Sequence, residues 1–350
     1  MYTNRVNHKV HLSFKDVLLV PYDDDFCQIK SRNDPDISVN LNVDKKLKIP
    51  IMSSPMDSVT GPDMAIALNK AGALGILTRY INNENERQIE DVKLVKQNTD
   101  SHNNIIATAI GVKTGVEELS TKLVDSGANL LCIDIANGNH IFVQKVLAHV
   151  CKLRDSYKDL IIMAGNVATG KAAIRLYEHG ANVIKIGIGS GAACSTRRIV
   201  GFGCPQFTAV LDCAEARDKK NYKDLKFVSD GGIRYPGDAV KALWAGADCV
   251  MMGYVFAGHD ESPKINGQVV YRGMSSRNVS GRTDIAAEGV SFKVSEKGPV
   301  ERTVNDWAAS IRAGLSMANA NNIEELRRNV TAIRVSTMSN EESDPVHSGE

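Results

Sequence analysis

Eight short apolar runs recur along the chain, and the segments between them have the apolar spacing of helices. The runs are IPIMSS from residue 49, LGIL from 74, IIATAIG from 105, LLCIDIA from 130, LIIMAGNV from 160, VIKIGIG from 183, KFVSDGG from 226 and CVMMGY from 249. Strands that are apolar throughout belong to sheets buried on both faces, as parallel sheets are. The alternation therefore predicts an α/β fold, a parallel (β/α)8 or TIM barrel.

A doubly wound open sheet is the alternative fold, but its dinucleotide fingerprint G-x-G-x-x-G does not follow the first strand. Residues 258–300 are polar, rich in Gly and Ser and too long for an ordinary connection, which predicts a functional flap after the eighth strand. Residues 336–350 have the composition of a disordered tail. We therefore expect one catalytic domain over residues 1–335.

Composition and charge narrow the classes of function. The 350 residues carry a formal net charge of +1, which gives no excess charge for nucleic acid or an anionic membrane surface, and we expect neither as a partner. No apolar stretch has the length of a signal-peptide core or a transmembrane helix, which predicts a cytoplasmic protein. The seven cysteines lack paired or metal-type spacing, which indicates free thiols.

Active sites of (β/α)8 barrels form at the carboxyl ends of the strands, so the residues directly after each apolar run are candidates. Polar residues and glycines are concentrated there: Asp57, Asp134, Asn137, Asn166, the loop with Cys194, Asp230, Gly231, Gly232, Gly253 and Tyr254. The glycines of SDGGI and MMGY suit a phosphate held on backbone amides, although each also fits an ordinary tight turn. Together they predict a ligand with a phosphomonoester.

The loop KIGIGSGAACSTRR, residues 185–198, carries the strongest chemical signal. Its glycines let the backbone approach a phosphate or a cation closely. Cys194 follows the glycines rather than an apolar face, and Arg197 and Arg198 are near enough in sequence to favour the nucleophilic thiolate. The hydroxyls of Ser195 and Thr196 either pass protons or cap the next helix.

Four motifs, GIGSGAACSTRR, SDGGI, GMSS and MAGNVATG, resemble those of the IMP dehydrogenase and GMP reductase family of purine-nucleotide barrel enzymes. The resemblance extends from LSFKDVLLVP at residue 12 to AEGVSF near residue 292, which is most of the chain. It implies a nucleotide substrate, GMP or IMP, a nicotinamide cofactor and a homotetramer.

The resemblance also implies roles for the matching residues. Cys194 matches the nucleophile that attacks C2 of the purine to form a covalent thioimidate, and Thr196 and Glu288 match the pair that relays protons. Positions that hold the nucleotide are matched by Asp230, Gly231, Gly232, Gly253, Tyr254, Gly273, Met274, Ser275, Glu288 and Gly289. Positions that hold the cofactor are matched by Arg79, Asp134, Ile135, Ala136, Asn137 and Gly138. Those that hold a potassium ion are matched by Gly189, Gly191, Cys194 and Arg197.

The two branches of this family differ in the fate of the thioimidate. The dehydrogenase branch hydrolyses it with water activated by an Arg-Tyr dyad on the flap, whereas the reductase branch releases ammonia and takes up hydride. Between GMSS and Glu288 the chain reads RNVSGRTDIAA, without a tyrosine, and no CBS domains separate the second and third strands. The resemblance therefore implies NADPH-dependent reductive deamination of GMP to IMP and ammonia.

Other outcomes remain open. SPMDSVT and AEGVSFKV look more like the dehydrogenase branch, which converts IMP to XMP with NAD. A barrel that binds nucleotides without catalysis is disfavoured by the intact set of Cys194, Thr196 and Glu288. NADH in place of NADPH, and a deoxy or modified purine nucleotide in place of GMP, are further alternatives.

Overall fold

The computed structural model describes residues 7–80, 85–99, 104–276 and 286–336. The strands within these ranges are β1 (Val17–Leu19), β2 (Val39–Asn40), β3 (Lys46–Leu47), β4 (Ile51–Ser53), β5 (Leu74–Leu77), β6 (Ala107–Ile110), β7 (Leu130–Asp134), β8 (Ile161–Val167), β9 (Val183–Ile186), β10 (Lys226–Asp230), β11 (Cys249–Met252), β12 (Val270–Arg272), β13 (Ser291–Lys293) and β14 (Ala332–Arg334). Strands β4 to β11 form a closed barrel in which each strand pairs with the next and β11 pairs with β4. All eight pairings are parallel, so the predicted (β/α)8 barrel is confirmed.

Helices follow the barrel strands and cover their outer faces. They are α1 (Pro62–Ala71), α2 (Asn85–Gln97), α3 (Val116–Asp125), α4 (Ile141–Leu153), α5 (Gly170–Glu178), α6 (Thr196–Ile199), α7 (Gln206–Lys220), α8 (Pro236–Trp244), α9 (Val300–Met317) and α10 (Ile323–Asn329), with a 3₁₀ turn at Phe14–Asp16. Helix α9 packs against both α1 and α8, which places it outside the junction where β11 meets β4. In the part of the chain that the structure describes, no helix is long and apolar enough to span a lipid bilayer.

Alternating strand residues fill the inside of the barrel, as in other barrels of this size. Met52, Met163 and Met251 belong to this interior cluster and are fully buried. Leu41 and Leu47, from the short antiparallel hairpin β2–β3, join the same cluster and close the amino-terminal end of the barrel. The opposite, carboxyl-terminal end is left open to a ligand.

The predicted flap contains a second antiparallel hairpin. Strands β12 and β13 pair with each other, Tyr271 lying opposite Phe292. The rings of Tyr254, Tyr271 and Phe292 contact one another, with centroids 5.6 to 6.0 Å apart, and so fix the hairpin to the end of β11. Residues 277–285 of the flap, and the predicted tail after Ser336, lie outside the described ranges.

Candidate active site

One cavity of about 1000 Å³ occupies the open end of the barrel. Most of the residues predicted for the site line it: Arg79, Asp134, Ile135, Ala136, Gly189, Gly191, Cys194, Thr196, Arg197, Asp230, Gly231, Gly232, Gly253, Tyr254, Gly273, Met274, Ser275 and Glu288. These residues come from the ends of five barrel strands, β5, β7, β9, β10 and β11, and from the flap hairpin. A shared position at the carboxyl ends of the strands therefore brings them together, as expected for a barrel.

Three predicted residues lie beside this cavity rather than on its wall. Gly138 lines a separate pocket of about 220 Å³ at the start of α4. Asn137 accepts a hydrogen bond from the Asn139 amide at 3.2 Å and so shapes the turn before that helix. Gly289 pairs through its backbone with Cys194. The cofactor segment predicted from Asp134 to Gly138 thus leaves the wall of the main cavity after Ala136.

The Cys194 thiol lies on an exposed turn at the cavity, and its Sγ is 3.1 Å from Oγ1 of Thr196. Thr196 begins α6, and Ser195 occupies the N-cap position of that helix without a capping hydrogen bond from its side chain. The Thr196 hydroxyl is therefore within hydrogen-bonding distance of the thiol. Capping by the Ser195 hydroxyl is not observed among the described residues.

The returning strand of the flap pairs directly with the cysteine loop. Ser195 donates its amide to the Glu288 carbonyl at 2.9 Å, and Val290 donates its amide to the Ala193 carbonyl at 3.0 Å. Cys194 and Gly289 face each other between these bonds as an antiparallel bridge. Two parts of the predicted catalytic set, far apart in sequence, are thus held side by side by the backbone.

Close backbone packing explains the glycines of the two loops after β9 and β10. A Cβ atom on Gly187, whose φ is +147°, would lie 2.0 Å from the Asp230 carbonyl oxygen. A Cβ atom on Gly231, whose φ is +90°, would lie 2.7 Å from Ser190 Oγ and 2.9 Å from the Gly191 amide nitrogen. Only glycine permits this approach without displacement of the backbone.

The predicted potassium site consists of carbonyl oxygens on the cysteine loop, the type of donor that suits a hard cation. Gly189 has a φ of +80°, and the Arg197 side chain packs against it: a Cβ atom there would lie 2.7 Å from Arg197 Cγ. The Arg197 guanidinium donates to the Cys204 carbonyl at 2.5 Å and so ties down the end of the loop. Within the described ranges, no cluster of His, Cys, Asp and Glu side chains offers another metal site.

Lys185 is a functional candidate that sequence reasoning missed. Its side chain is buried in the barrel, with Nζ 2.5 Å from Asp134 Oδ1 and 3.2 Å from Asp230 Oδ2. Burial alone lowers the pKa of Lys185, but attraction by the two carboxylates outweighs it and the pKa is raised. The lysine therefore remains an ammonium that joins a predicted cofactor residue to a predicted nucleotide residue. A charged residue inside the apolar strand VIKI was the available signal.

Asn166 completes the polar floor of the cavity. Its Nδ2 donates to Asp230 Oδ2 and to the Gly187 carbonyl, both at 2.8 Å. The Asp230 carboxylate thus receives bonds from Lys185 and Asn166, which fix its orientation. A carboxylate held in this way is suited to accept hydrogen bonds from ligand hydroxyls.

Arg79 offers a donor beside the predicted cofactor segment. Its Nη2 donates to the Tyr80 hydroxyl at 2.5 Å and to the Asp134 carbonyl at 3.3 Å. Its Nε is buried and has no hydrogen-bond partner among the described residues. Burial raises the pKa of Tyr80, which keeps that hydroxyl neutral beside the guanidinium. An unsatisfied guanidinium nitrogen next to the cavity fits a ligand with polar acceptors, such as a nicotinamide dinucleotide.

The geometry thus defines a (β/α)8 barrel with an exposed cysteine on the glycine-rich loop after its sixth strand. Residues 11–347 match the family model described as "IMP dehydrogenase / GMP reductase domain", and the chain belongs to that family of oxidoreductases.

Both dehydrogenases and reductases are among the proteins that are similar to the chain. An inosine-5'-monophosphate dehydrogenase of Halalkalibacterium halodurans is 39% identical over 69% of the chain, which spans only 52% of that relative. A GMP reductase of Onchocerca volvulus is 34% identical over 96% of the chain and 94% of its own length. An inosine-5'-monophosphate dehydrogenase of Nitrosopumilus maritimus is 29% identical over 96% of the chain and 98% of its own length. Similarity establishes the family without separating the two activities.

Proposed function

We propose that the protein is an NADPH-dependent reductase that converts GMP to IMP and ammonia at Cys194. The observation that carries the choice of direction is the flap sequence RNVSGRTDIAA before Glu288, which has no tyrosine. This stretch therefore does not match the Arg-Tyr dyad with which the dehydrogenase branch activates water against the covalent intermediate. Loss of ammonia is then the productive outcome.

The residues around the thiol support this chemistry. Attack by Cys194 Sγ on C2 of the purine forms a C–S bond, and the 2-amino group takes up a proton and leaves as ammonia when its C–N bond breaks. Thr196 is proposed to move a proton at the reacting atoms, which its Oγ1 supports by lying 3.1 Å from the sulfur. Glu288 lines the same cavity and is the group proposed to exchange protons with Thr196. Covalent capture divides one difficult substitution into two easier steps.

The floor of the cavity is suited to hold two ligands against each other. Asp230, Gly231 and Gly232 are proposed for the nucleotide, and Arg79 with Asp134, Ile135 and Ala136 for the cofactor. The reduced nicotinamide, when bound, would supply to C2 the hydride that no side chain can provide, and the C–S bond would then break to release IMP and the Cys194 thiolate. Lys185 contacts both Asp134 and Asp230 and would hold the two subsites in register.

A potassium ion is proposed to bind the carbonyls of Gly189, Gly191 and Cys194, with Arg197. The protein is proposed to be a cytoplasmic homotetramer.

Oxidation of IMP to XMP with NAD is the second candidate. It is favoured by SPMDSVT and AEGVSFKV, and by 39% identity to the dehydrogenase of Halalkalibacterium halodurans. Both reactions use the same thiol to form a covalent intermediate. The residues that act on that intermediate therefore decide between reduction of GMP and oxidation of IMP.

A paired assay of the purified protein distinguishes the candidates. GMP with NADPH and IMP with NAD are incubated separately, and ammonia, XMP and the cofactor absorbance are followed. The proposal predicts stoichiometric NADPH oxidation and ammonia release with GMP, and no sustained XMP formation. Steady XMP production without NADPH consumption would instead establish the dehydrogenase. Glu288→Gln, compared with wild type, should slow ammonia release more than it weakens GMP binding.

A further inference from the structure

Asp57 and Arg272 form a bidentate ion pair between the barrel and the flap. Asp57 follows β4 and is 8% exposed, and Arg272 ends β12. The Arg272 Nε lies 3.0 Å from both carboxylate oxygens, and Nη2 lies 2.5 Å from Oδ2. The Arg272 amide also donates to Ser58 Oγ at 3.2 Å. This geometry fixes both the distance and the orientation of the two groups.

The residues directly after Arg272 form the flap part of the cavity wall. Gly273 donates its amide to the Val290 carbonyl at 3.0 Å, and Glu288 donates its amide to the Ser275 carbonyl at 3.2 Å. Glu288 in turn accepts from the Ser195 amide, next to Cys194. A continuous set of short bonds thus connects Arg272 to the nucleotide segment, to Glu288 and to the cysteine loop.

A two-stranded hairpin is marginally stable by itself, so the position of β12–β13 depends on its contacts with the barrel. The aromatic contacts of Tyr271 hold one side of the hairpin. The Asp57–Arg272 pair is a charged contact immediately beside Gly273. A buried ion pair adds little net stability because desolvation offsets the attraction, but it specifies geometry when both partners are fixed.

We propose that Asp57 and Arg272 are positioning residues, which hold Gly273–Ser275 and Glu288 in register with Cys194. The pair acts through the flap backbone and contacts neither thiol nor proton relay itself. The identity of the nucleotide in this inference rests on the proposed function. The effect of the ion pair on the position of the flap does not.

The test uses Arg272→Met, Arg272→Lys, Asp57→Asn and the double variant Asp57→Asn/Arg272→Met in the full chain. Three quantities are measured: the GMP and IMP dissociation constants by calorimetry, the iodoacetamide alkylation rate of Cys194 without ligand, and the unfolding temperature. Arg217→Lys is the matched control, because Arg217 forms a buried pair with Asp248 at 3.1 Å, at the opposite end of the barrel.

Loss of the pair should weaken nucleotide binding about tenfold or more, which corresponds to about 1.4 kcal/mol. It should also accelerate Cys194 alkylation severalfold, since the flap strand paired with the cysteine loop is loosened. Arg272→Lys should restore part of both effects, and the double variant should cost less than the sum of the single changes. Arg217→Lys should lower the unfolding temperature and leave binding and alkylation unchanged.

Equal binding and alkylation in Arg272→Met and wild type, with only a lower unfolding temperature, would reduce the pair to a stabilising contact and overturn the proposal. If Arg272→Met does not fold, Asp57→Asn and Arg272→Lys decide by the same readouts. If wild type binds neither nucleotide, the proposed function fails, and the ligand-free alkylation rates still decide the role of the pair.

Discussion

The Nζ atom of Lys185 lies 2.5 Å from Oδ1 of Asp134 and 3.2 Å from Oδ2 of Asp230, so one buried ammonium joins the ends of three barrel strands. Each carboxylate belongs to a different proposed subsite, one for the cofactor and one for the nucleotide. The distance between the subsites is therefore set by a side chain that is hidden from solvent. This arrangement makes Lys185 a sensitive point of both stability and activity.

Lys185→Met should destabilise the fold by about 3–5 kcal/mol, because it leaves two carboxylates without their buried partner. Since the pKa of Lys185 is raised in the folded state, its contribution is fully present below its unfolded pKa, about 10.4, and is lost only as pH rises through the folded value. Denaturant unfolding of both proteins from pH 7 to 9 should therefore give a constant difference. A difference that falls to zero by pH 9 would show that the lysine titrates there.

Cys194→Ala should abolish turnover and leave nucleotide binding nearly unchanged, because the thiol acts in bond formation rather than in recognition. Calorimetry with GMP and the NADPH assay measure the two effects. Activity within about tenfold of wild type would rule out the nucleophile assignment.

Thiol labelling should separate the cysteines by environment. Burial raises the pKa of Cys132 to about 12 and also raises the pKa of Cys213 and Cys249, so these three should resist iodoacetamide at pH 8. Cys194 and Cys27 are exposed and should react. Saturating GMP should protect Cys194 but not Cys27, which provides the internal control in peptide mass spectrometry. Equal protection of both would contradict nucleotide binding over Cys194.

Gly187→Ala should prevent correct closure of the site, since its Cβ would lie 2.0 Å from a backbone carbonyl oxygen at a φ of +147°. We expect a lower unfolding temperature together with loss of GMP binding. Gly237→Ala is the matched control, because a Cβ there meets nothing within 4 Å and alanine favours the helix by about 1 kcal/mol. Comparable behaviour of the two variants would mean that the loop packing is not a constraint.

Replacing potassium by lithium at constant ionic strength should lower the rate of GMP reduction if carbonyls of the cysteine loop bind the larger ion. Iodoacetamide alkylation of Cys194 gives a second measurement, since an ordered loop and a disordered loop present the thiol differently. Rates that are the same in both salts would indicate that protein contacts alone, such as the Arg197 bond to Cys204, order the loop.

The barrel and most of the cavity wall were predictable from the sequence, because they depend on local patterns. Eight apolar runs separated by helical spacing define the strands, and the rule that sites form where strands end identifies residues such as Asp134 and Asp230 without knowledge of their contacts. The role expected for Cys194 came from motif resemblance. Its contact with Thr196 was predictable because the two residues are close in the sequence. The pairing of Cys194 with Gly289 did not follow from either.

Contacts between distant parts of the chain were decided only by the tertiary structure. Lys185 reaches carboxylates 51 and 45 residues away, and Arg272 reaches Asp57 across 215 residues. No local pattern encodes these partners, because the free energy of a buried charge depends on what closure of the barrel places beside it. In the closed barrel, Gly138 lines a separate pocket rather than the main cavity, and Gly289 of the flap pairs with Cys194. The sequence thus determined where chemistry is available, and packing decided which groups act together.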